Sequence, residues 1–477
     1  MSKIKVLLLN ASPKNNGATQ EILNIIKTQL PPDVSAEMLC LGDVNIAYCL
    51  GDKTCYDTCK CIQNDDMESL IDKIDNADIL VIAAPSYWAD VPGQFKVFID
   101  RCTVYSETNP NPAHRVLKSG KKCYGIALRT GKNPTECEHI IETISHWCGH
   151  MKIDMADSVY FCEIKDKDDV TKITDCSKAK EWVTVNQITQ DIFSVNGKQI
   201  EDFRLIREKR GIHVYSCTYE SYPAVVKYFE HESDKREITN YRILNKYNIP
   251  TIKVFAYGKS SIVMEDISVS DDWRLGIEDD LHDTDIAESL AHWYFNFHEK
   301  GSAIPELNTL ESDFDKITEA ALNMLCRELP EAADIFNYIL SHYDKLRKLI
   351  NTPKYTLTYN DFYWSNFIVR KNKSEAIMFD YNLLGRGYRY SDLRNVCWSM
   401  PEAFADKYKQ LYADKYGAYR TSEETMEKRI DVVMDELHGL ILAIERKNFS
   451  KLQEYAKKES AHKTLLENAK ILLESEI

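Results

Sequence analysis

Residues 4–19 read IKVLLLNASPKNNGAT, a short apolar run followed by a polar loop that contains one glycine. A run of this length between polar residues is typical of a buried strand. Apolar side chains from Ile22 to Leu30 then recur near helical spacing. A strand, a loop and a helix in this order predict the first unit of a parallel sheet with helices on its faces.

The same alternation continues to about residue 193. Further apolar runs predict strands at Glu37–Leu41, Ile79–Ala84, Cys123–Leu128 and Val159–Ile164. Helical patterns are predicted at Met67–Ile74, Pro92–Arg101 and Ser177–Phe193. Five strands alternating with helices predict an α/β fold with a doubly wound parallel sheet.

Two loops of this sheet are candidates for one binding site. The loop after the first strand offers hydroxyls, Lys14 and the N–H groups of a helix N-terminus, where the helix dipole favours phosphate. The loop after the third strand, Pro85–Ala89, carries two aromatic side chains suited to a flat ring. Ligands of open α/β sheets bind beyond the carboxyl ends of the strands, between the first and the third. Either loop alone is also compatible with an ordinary turn and core aromatics, but together they predict a ligand site.

The motifs of residues 1–165 resemble those of the NAD(P)H-dependent FMN reductase family, which has the flavodoxin-like fold. They are Ser12-Pro13-Lys14, Gly17-Ala18-Thr19, Asp65-Asp66-Met67, Pro85-Ser86-Tyr87-Trp88 and Lys96–Arg101. The resemblance implies that the FMN phosphate is held by Ser12, Lys14, Gly17, Ala18 and Thr19. It implies that the isoalloxazine is bordered by Pro85, Ser86, Tyr87, Trp88, Thr130 and Gly131.

The same resemblance implies further properties of this domain. Hydride transfer from NAD(P)H would belong to the flavin, so no acid, base or nucleophile of the chain is assigned. Because family members often place FMN at a dimer interface, we expect a homodimer through the flavodoxin-like domain. Ala18 is a departure, since the family usually has Asn there, and one side-chain contact to the ligand would be lost.

A cysteine-rich segment follows the second strand and contains Cys49, Cys55, Cys59 and Cys61. It resembles the cluster-binding segment of the iron–sulfur flavoproteins, a branch of the same family. Four thiolates usually hold a four-iron, four-sulfur cluster, whereas Asp52 stands at the second position of the pattern here. Metal binding, a redox-active thiol pair and a structural loop are the three interpretations, and we expect no stoichiometric iron.

The second part of the chain has a different pattern. Polar residues and a glycine at Val195–Lys198 interrupt the helical periodicity. The predicted organisation is a first domain at 1–195, a linker at 196–202 and a second domain at 203–477, with a small lobe at 203–268 and a helical lobe at 269–477. β-like segments and one helical pattern, Lys235–Tyr247, precede a long helical region that is broken at Thr356–Asp380. This pattern predicts an α+β domain with two lobes.

Polar residues in the second domain match the arrangement of a kinase site. Asp361 and Asn366 have the separation of the kinase catalytic loop, and Asp380 follows on a short apolar strand. Phosphoryl transfer needs a carboxylate to position the attacking hydroxyl, and an Asn and an Asp to hold Mg²⁺. Lys227, on a predicted strand, and Glu237, in the next helix, match the pair that contacts ATP phosphates. The alternative is that Asp361 caps a helix and Asp380 lies in a turn. This alternative does not explain why these residues occur in the same order as in kinases.

The surrounding motifs resemble the aminoglycoside phosphotransferase and choline kinase superfamily, whose domain is protein-kinase-like. They are Thr358–Asn366, Phe379–Asn382 and Ser391–Arg394. The resemblance covers about residues 203–400 and implies a catalytic base at Asp361, Mg²⁺ ligands at Asn366 and Asp380, and ATP contacts at Lys227, Glu237, Glu265 and Ile267. It departs from the family at Tyr359, where His is usual, at Asn382, where an acidic residue is common, and near Gly211, where the phosphate loop is not glycine-rich.

The phosphate acceptor is predicted from residues near the catalytic segments. Aromatic faces favour a cation, and the aromatic residues there are Tyr363, Trp364, Tyr381, Tyr388 and Tyr390. The acidic run Asp279–Asp285 is consistent with the same charge, although such runs are usually solvated faces. We therefore predict a cationic alcohol or amino sugar of the choline or aminoglycoside type.

Charge and hydropathy restrict the partners. The 477 residues include 60 Lys+Arg and 74 Asp+Glu, a net charge of -14, so no basic surplus favours nucleic acid or an anionic membrane. No apolar run approaches the ~18 residues of a membrane span, and Val6–Leu9 is too short for a secretory core. We expect a cytoplasmic protein that acts on small molecules.

Taken together, the two halves predict an FMN oxidoreductase fused to an ATP- and Mg²⁺-dependent small-molecule kinase. The alternative is an FMN-binding redox sensor or assembly module attached to an inactive or weakly active pseudokinase. The sequence leaves open the electron acceptor, the choice between NADH and NADPH, and the reason for the fusion.

Overall fold

A five-stranded parallel sheet organises the first part of the chain. The computed structural model describes residues 4–30, 34–170, 177–416 and 421–474, which form two units, 1–190 and 191–477. The strands of the first unit are β1 Lys5–Asn10, β2 Ser35–Cys40, β3 Ile79–Pro85, β4 Lys122–Leu128 and β5 Asp154–Phe161. Their order, β2-β1-β3-β4-β5, is the doubly wound order of flavodoxin. The predicted fold class of this half is confirmed.

Helices cover both faces of this sheet. They are α1 Ala18–Gln29, α2 Thr54–Thr58, α3 Met67–Asn76, α4 Gly93–Arg101, α5 Thr135–His150, α6 Lys167–Val170 and α7 Ser177–Asn196. Alternate residues of β1 enter different cores, with Leu7 and Leu9 in one and Val6 and Leu8 in the other. A strand that is buried on both faces lacks polar alternation, which is why its sequence is a continuous apolar run.

The fifth strand differs from its prediction at Val159–Ile164, because β5 begins at Asp154 and ends at Phe161. It lies at the edge of the sheet and pairs only with β4 among the described strands. Several of its side chains are exposed, including Asp154. An apolar run therefore marks only the second half of β5, because the first half of this strand contains polar residues.

The second unit begins with an antiparallel sheet and one helix. The strands are β6 Ile200–Lys209, β7 Ile212–Tyr219, β8 Tyr222–Phe229, β9 Val254–Tyr257 and β10 Ser261–Glu265, in the order β6-β7-β8-β10-β9. Helix α8, Arg236–Lys246, lies between β8 and β9 in the chain. A lysine on the third strand and a glutamate on the next helix are the kinase arrangement.

The rest of the second unit is mainly helical. Its helices are α9 Thr284–Gly301, α10 Glu319–Glu328, α11 Ala333–Ser341, α12 Tyr343–Ile350, α13 Arg389–Ser399, α14 Glu402–Tyr416, α15 Thr421–Glu445, α16 Phe449–Ala456 and α17 Glu459–Glu474. Short strands interrupt it: β11 Trp273–Leu275, β12 Thr356–Thr358, β13 Phe367–Arg370, β14 Ala376–Met378 and β15 Gly385–Gly387. An antiparallel sheet followed by a mainly helical region is the α+β arrangement that the sequence predicts.

Helix α7 contains the division between the two units. Trp182 stacks on Tyr124 of the first unit, with ring centroids 4.4 Å apart. The carboxylate of Asp191, in the second unit, accepts the Ser260 N–H at 2.9 Å and the Ser261 hydroxyl at 2.8 Å. The units therefore divide between residues 190 and 191, and β6 begins at Ile200, inside the segment predicted as a linker. Among the described residues, no helix is both long and apolar enough to cross a membrane.

Candidate active sites

The first candidate site is the loop between β1 and α1. Gly17 is the N-cap of α1, and no side chain caps this helix, so its first N–H groups are available to a ligand. Ser12 and Thr19 are buried to 4% and 3% exposure. The Ser12 hydroxyl accepts the Lys14 N–H at 3.1 Å, which leaves the hydroxyl proton free to be donated. Uncapped amides, hydroxyls and the exposed Lys14 ammonium are a donor set that fits a phosphate.

Two residues that the sequence did not single out hold this loop in shape. Asn10 is fully buried, and its amide accepts the Ser12 N–H at 2.9 Å and donates to the Lys14 carbonyl at 3.1 Å. A Cβ at Gly42 would lie 2.7 Å from the Pro13 carbonyl oxygen, so only glycine permits this approach. Asn10 was detectable as the one polar residue at the end of an apolar strand, whereas Gly42 was not, because its contact depends on the fold.

The aromatic loop after β3 turns sharply and presents its side chains to solvent. Tyr87 and Asp90 exchange backbone hydrogen bonds of 2.9 and 3.2 Å. Between them Trp88 and Ala89 have φ of 51° and 64°, the left-handed conformation of a two-residue hairpin turn. Non-glycine residues adopt it at a cost of order 1–3 kcal/mol, and such strain is concentrated at functional sites. Trp88 is 102% exposed, so the alternative that this residue packs in the core is wrong.

A hydrogen-bond network connects the aromatic loop to the loop after β4. The Ser86 hydroxyl donates to Glu136 Oε2 at 2.6 Å, and Arg129 pairs with Glu136 Oε1 at 3.0 Å. The Arg129 side chain also lies against Gly131, where a Cβ would be 2.5 Å from it. The carboxyl ends of β3 and β4 therefore bring together four predicted contacts of the ring, as expected. They are Pro85, Ser86, Thr130 and Gly131. Glu136 was missed because its partner Ser86 is distant in sequence.

The cysteine-rich segment is tied to the core by buried polar groups. Arg101, 2% exposed, pairs with Asp65 at 2.6 Å and donates to the Ala47 carbonyl at 2.7 Å. The Asp52 carboxylate accepts the Thr54 N–H at 2.8 Å and is engaged in its own turn. Within the described residues, no three His, Cys, Asp or Glu side chains are arranged to hold a metal ion. Iron content at Cys49, Cys55, Cys59 and Cys61 stays a prediction.

The second candidate site brings together residues from distant parts of the second unit. The Lys227 ammonium on β8 lies 2.6 Å from Glu237 Oε2 on α8 and 3.0 Å from Asp380 Oδ1. Lys227 is 7% exposed. Burial alone would lower the pKa of Lys227, but the two carboxylates outweigh it and raise this pKa, so the ammonium stays charged.

The catalytic-loop residues are arranged beside this ion pair. Asn366 donates to the Asp361 carbonyl at 3.0 Å and to Asp361 Oδ2 at 3.2 Å. Burial and the charge of Asp380 raise the pKa of Asp361 to about 6. A carboxylate with a pKa this close to neutrality is a better proton acceptor than an ordinary aspartate.

Asp392 holds the backbone just before Asp361, a role that the sequence did not assign. It is 1% exposed and accepts the N–H groups of Tyr359 at 2.9 Å and Asn360 at 3.1 Å. His298 Nε2 lies 3.1 Å from the same carboxylate. Tyr359, which departs from the expected His, is fully buried and donates its hydroxyl proton to the carbonyls of Phe379 and Asp380. Tyr359 therefore joins the loop that carries Asp361 to the segment that carries Asp380.

Two predicted ATP contacts lie at and just beyond the end of β10, the strand that pairs with the strand of Lys227. They are Glu265 and Ile267. In the pairing of β10 with β8, Ile262 lies opposite Lys227 and Glu265 lies opposite Ala224. Ile267 is buried at 5% exposure. Glu265 therefore lies on the strand next to that of Lys227 and Ile267 follows it, and their contact with ATP stays a prediction.

The predicted phosphate loop is reduced to a tight hairpin turn. Only Arg210 and Gly211 separate β6 from β7, with φ of 52° and 80°. A Cβ at Gly211 would lie 2.7 Å from His231 Nε2. This short distance and the positive φ both favour glycine at position 211.

The structure contradicts part of the argument for a cationic acceptor. Tyr381 and Tyr388 are fully buried and cannot face a substrate. Asp280 pairs with Arg274 at 2.6 Å and Asp283 with Lys373 at 2.6 Å, so two of the four carboxylates of the acidic run are neutralised. A cavity of about 420 Å³ adjoins Asn360, and its charged lining is mixed, with Arg236, Glu311, Asp313, Lys316, Arg386, Arg394, Asp431, Asp435 and Arg446.

Comparisons with known proteins give the following similarities. Residues 4–127 match the model of the NADPH-dependent FMN reductase family. An iron–sulfur flavoprotein of Clostridioides difficile is 31% identical over 164 residues, which are 29% of this chain and 73% of that protein. An iron–sulfur flavoprotein of Methanosarcina thermophila is 24% identical over 195 residues, 39% of this chain and 97% of that protein. A crystal structure of choline kinase from Cryptosporidium parvum Iowa II is 15% identical with a TM-score of 0.40, and the match covers 62% of this chain and 96% of that one.

The family-model match falls on the unit that has the flavodoxin strand order. The matched residues 4–127 include β1, β3 and both loops of the first candidate site. Through its N-terminal unit, the chain belongs to the NADPH-dependent FMN reductase family.

Proposed function

We propose that the protein is a bifunctional enzyme of the cytoplasm. One unit is an FMN oxidoreductase that uses NAD(P)H, and the other transfers a phosphoryl group from Mg²⁺-ATP to a hydroxyl of a small molecule. The observation that carries the second activity is the convergence of Lys227, Glu237 and Asp380, with Lys227–carboxylate distances of 2.6 and 3.0 Å, beside the Asp361–Asn366 pair. A pseudokinase would not need to keep all of these residues in contact.

In the proposed phosphoryl transfer each residue has a separate task. Lys227, oriented by Glu237, would contact the phosphates, and Asn366 and Asp380 offer oxygen atoms of the kind that Mg²⁺ prefers. Asp361 would accept the hydrogen bond of the acceptor hydroxyl and take its proton as the phosphorus–oxygen bond forms. Asp392 acts through the backbone of residues 359 and 360, so it is a positioning residue.

In the proposed flavin site the chain binds and orients the cofactor. The uncapped N-terminus of α1, the Ser12 and Thr19 hydroxyls and Lys14 would hold the phosphate, and the loops after β3 and β4 would border the ring. Bound FMN supplies the hydride chemistry. The exposed Trp88 supports a second proposal. Another copy of the chain would cover the loop after β3 in a homodimer.

The acceptor is the least determined component of the proposed kinase reaction. Tyr363 is 53% exposed, and Trp364 and Tyr390 are partly exposed, so these aromatics still support a cationic alcohol or amino sugar. The mixed charge of the cavity beside Asn360 favours acceptors with several polar groups. A screen of ATP consumption against choline, ethanolamine and aminoglycosides tests the class, and turnover of neutral polyols alone would contradict it.

The proposed base gives the kinase reaction a defined pH dependence. The pKa of Asp361 is about 6, and the ionised form accepts the proton. We therefore expect the rate with saturating Mg²⁺-ATP to be fully developed above this pH and to fall as the pH decreases through about 6. The measurement is kcat/KM against pH at constant ionic strength. A rate that rises with acidity would contradict the assignment of Asp361.

The proposed phosphate site is tested by a substitution that does not weaken the helix. Asp is a favoured N-cap residue, and the Cβ of a residue at position 17 meets nothing closer than 3.6 Å. Gly17→Asp should therefore keep α1 but occupy its amides and repel phosphate. Because charged hydrogen bonds are worth about 1.5–3 kcal/mol each, we expect FMN affinity to fall by at least roughly ten-fold. Riboflavin, which lacks the phosphate, is the control ligand, and an equal loss for both would contradict a phosphate-specific site.

A further inference from the structure

A pair of thiols in the first unit belongs to neither the cysteine-rich segment nor the predicted ligand contacts. Cys137 lies in the first turn of α5, and Cys162 directly follows β5. Cys137 Sγ lies 4.0 Å from the carbonyl oxygen of Phe161, the residue before Cys162. Both residues pack in the same hydrophobic core, and the nearby Cys162 thiol adds to the burial that raises the pKa of Cys137.

Backbone hydrogen bonds place this pair beside the loop after β4, which is predicted to border the flavin. The Arg129 N–H donates to the Phe161 carbonyl at 3.0 Å, and the Glu163 N–H donates to the Gly131 carbonyl at 3.1 Å. Cys162 is therefore held directly alongside residues 129–131, the loop that would border the isoalloxazine. Glu136, the neighbour of Cys137, contacts Ser86 of the aromatic loop at 2.6 Å.

Access to solvent distinguishes this pair from a second pair of cysteines in the same unit. Cys162 is partly exposed, whereas Cys137 is fully buried. Cys123 and Cys148 are also close enough for the one to raise the pKa of the other, but both are fully buried. Oxidation needs access of the reagent to a thiol, and of these two pairs only the first includes a residue that is partly exposed. Cys123 and Cys148 are thus an internal control.

We propose that Cys137 and Cys162 are a redox-active dithiol that closes into a disulfide beside the flavin site. Two S–H bonds break and one S–S bond forms, while two electrons and two protons pass to a two-electron acceptor of the flavin or peroxide class. With peroxide, the Cys162 sulfur is oxidised first to a sulfenic acid, releasing one water. Cys137 then displaces hydroxide from that sulfur, and the second water forms. Exchange with FMN, though not the thiol chemistry itself, rests on the proposed flavin function.

Peptide mapping of the full-length protein tests the pair without any cofactor. The reduced protein is treated with hydrogen peroxide, alkylated, digested without reductant and analysed by mass spectrometry. The expected result is a disulfide between the peptides of Cys137 and Cys162, with Cys123 and Cys148 fully alkylated after unfolding. Cys162→Ser should abolish that product, and it replaces a partly exposed residue by one of similar size, so the fold is preserved. Alkylation of both Cys137 and Cys162 after peroxide treatment, or equal oxidation of the Cys123–Cys148 pair, would overturn the proposal.

An anaerobic reductive titration separates this inference from the flavin proposal. In the presence of FMN, the disulfide form should consume two electrons per chain more than the Cys162→Ser variant before excess reductant accumulates. Equal consumption in the two proteins, despite a mapped disulfide, would overturn the exchange with flavin. Failure of FMN to bind would reject the flavin function, while the peptide map would still decide whether the thiol pair is redox-active.

Discussion

Asp361→Asn is expected to lower the phosphorylation rate by on the order of 10²–10⁴-fold, the usual contribution of a positioned acid or base. The amide has the same shape and can still accept the Asn366 hydrogen bond that the carboxylate accepts at 3.2 Å. It cannot take the proton of the acceptor hydroxyl, because a neutral amide is a very weak base. Phosphate transfer under saturating Mg²⁺-ATP is the measurement.

Binding measurements separate this loss from damage to the fold. Mg²⁺-ATP affinity, followed by calorimetry, should stay close to wild type because the contact of Lys227 with Glu237 is untouched. Asp344→Asn, an exposed change in the same unit, is the matched control and should leave both rate and affinity unchanged. If Asp361→Asn phosphorylates as fast as wild type, the assigned base is wrong and the pseudokinase alternative is favoured.

Asp380→Asn should lower both turnover and Mg²⁺-dependent nucleotide binding, which Asp361→Asn does not. A metal that neutralises transferring phosphates stabilises the transition state by several kcal/mol, so we expect turnover to fall on the order of 10²–10³-fold. The substitution removes one of the two carboxylates on Lys227 and leaves the Glu237 contact at 2.6 Å. ATP affinity without Mg²⁺ should therefore change little, since the lysine remains oriented.

Titration of ATP with and without Mg²⁺ tests this difference. In wild type, Mg²⁺ should strengthen nucleotide binding, and in Asp380→Asn this strengthening should be lost. FMN binding is the control for the integrity of the chain, because Asp380 lies in the other unit. A variant that keeps the full Mg²⁺ effect would show that another residue holds the ion.

Several elements of both sites were predictable because local patterns report local structure. The apolar run of β1 followed by a polar loop identified a buried strand and an exposed helix N-terminus, and both were found. The separation of Asp361 and Asn366 identified one loop, since five residues of chain limit where the two side chains can lie. Lys227 and Glu237 were predicted from their places on a strand and the next helix, and they form an ion pair.

The sequence could not decide which aromatic side chains are exposed, because exposure depends on packing. Trp88 and Tyr381 both belong to aromatic segments near a candidate site, yet Trp88 is fully exposed and Tyr381 fully buried. Residue type does not decide between these outcomes, because a Tyr or Trp can be stable in either environment when its polar atom has a partner. The Tyr381 hydroxyl finds one in the Met378 carbonyl, at 2.7 Å.

The sequence by itself determined the order of strands and helices, the division into two kinds of domain, and the residue types that the proposed reactions need. These follow from periodicity and short spacing, which depend on backbone geometry within a few residues. Which distant groups meet could be read only from the folded chain, as Asp392 meets Tyr359 and Cys137 lies beside the Phe161 carbonyl. Such contacts form because packing of the whole unit brings together segments that no local pattern connects.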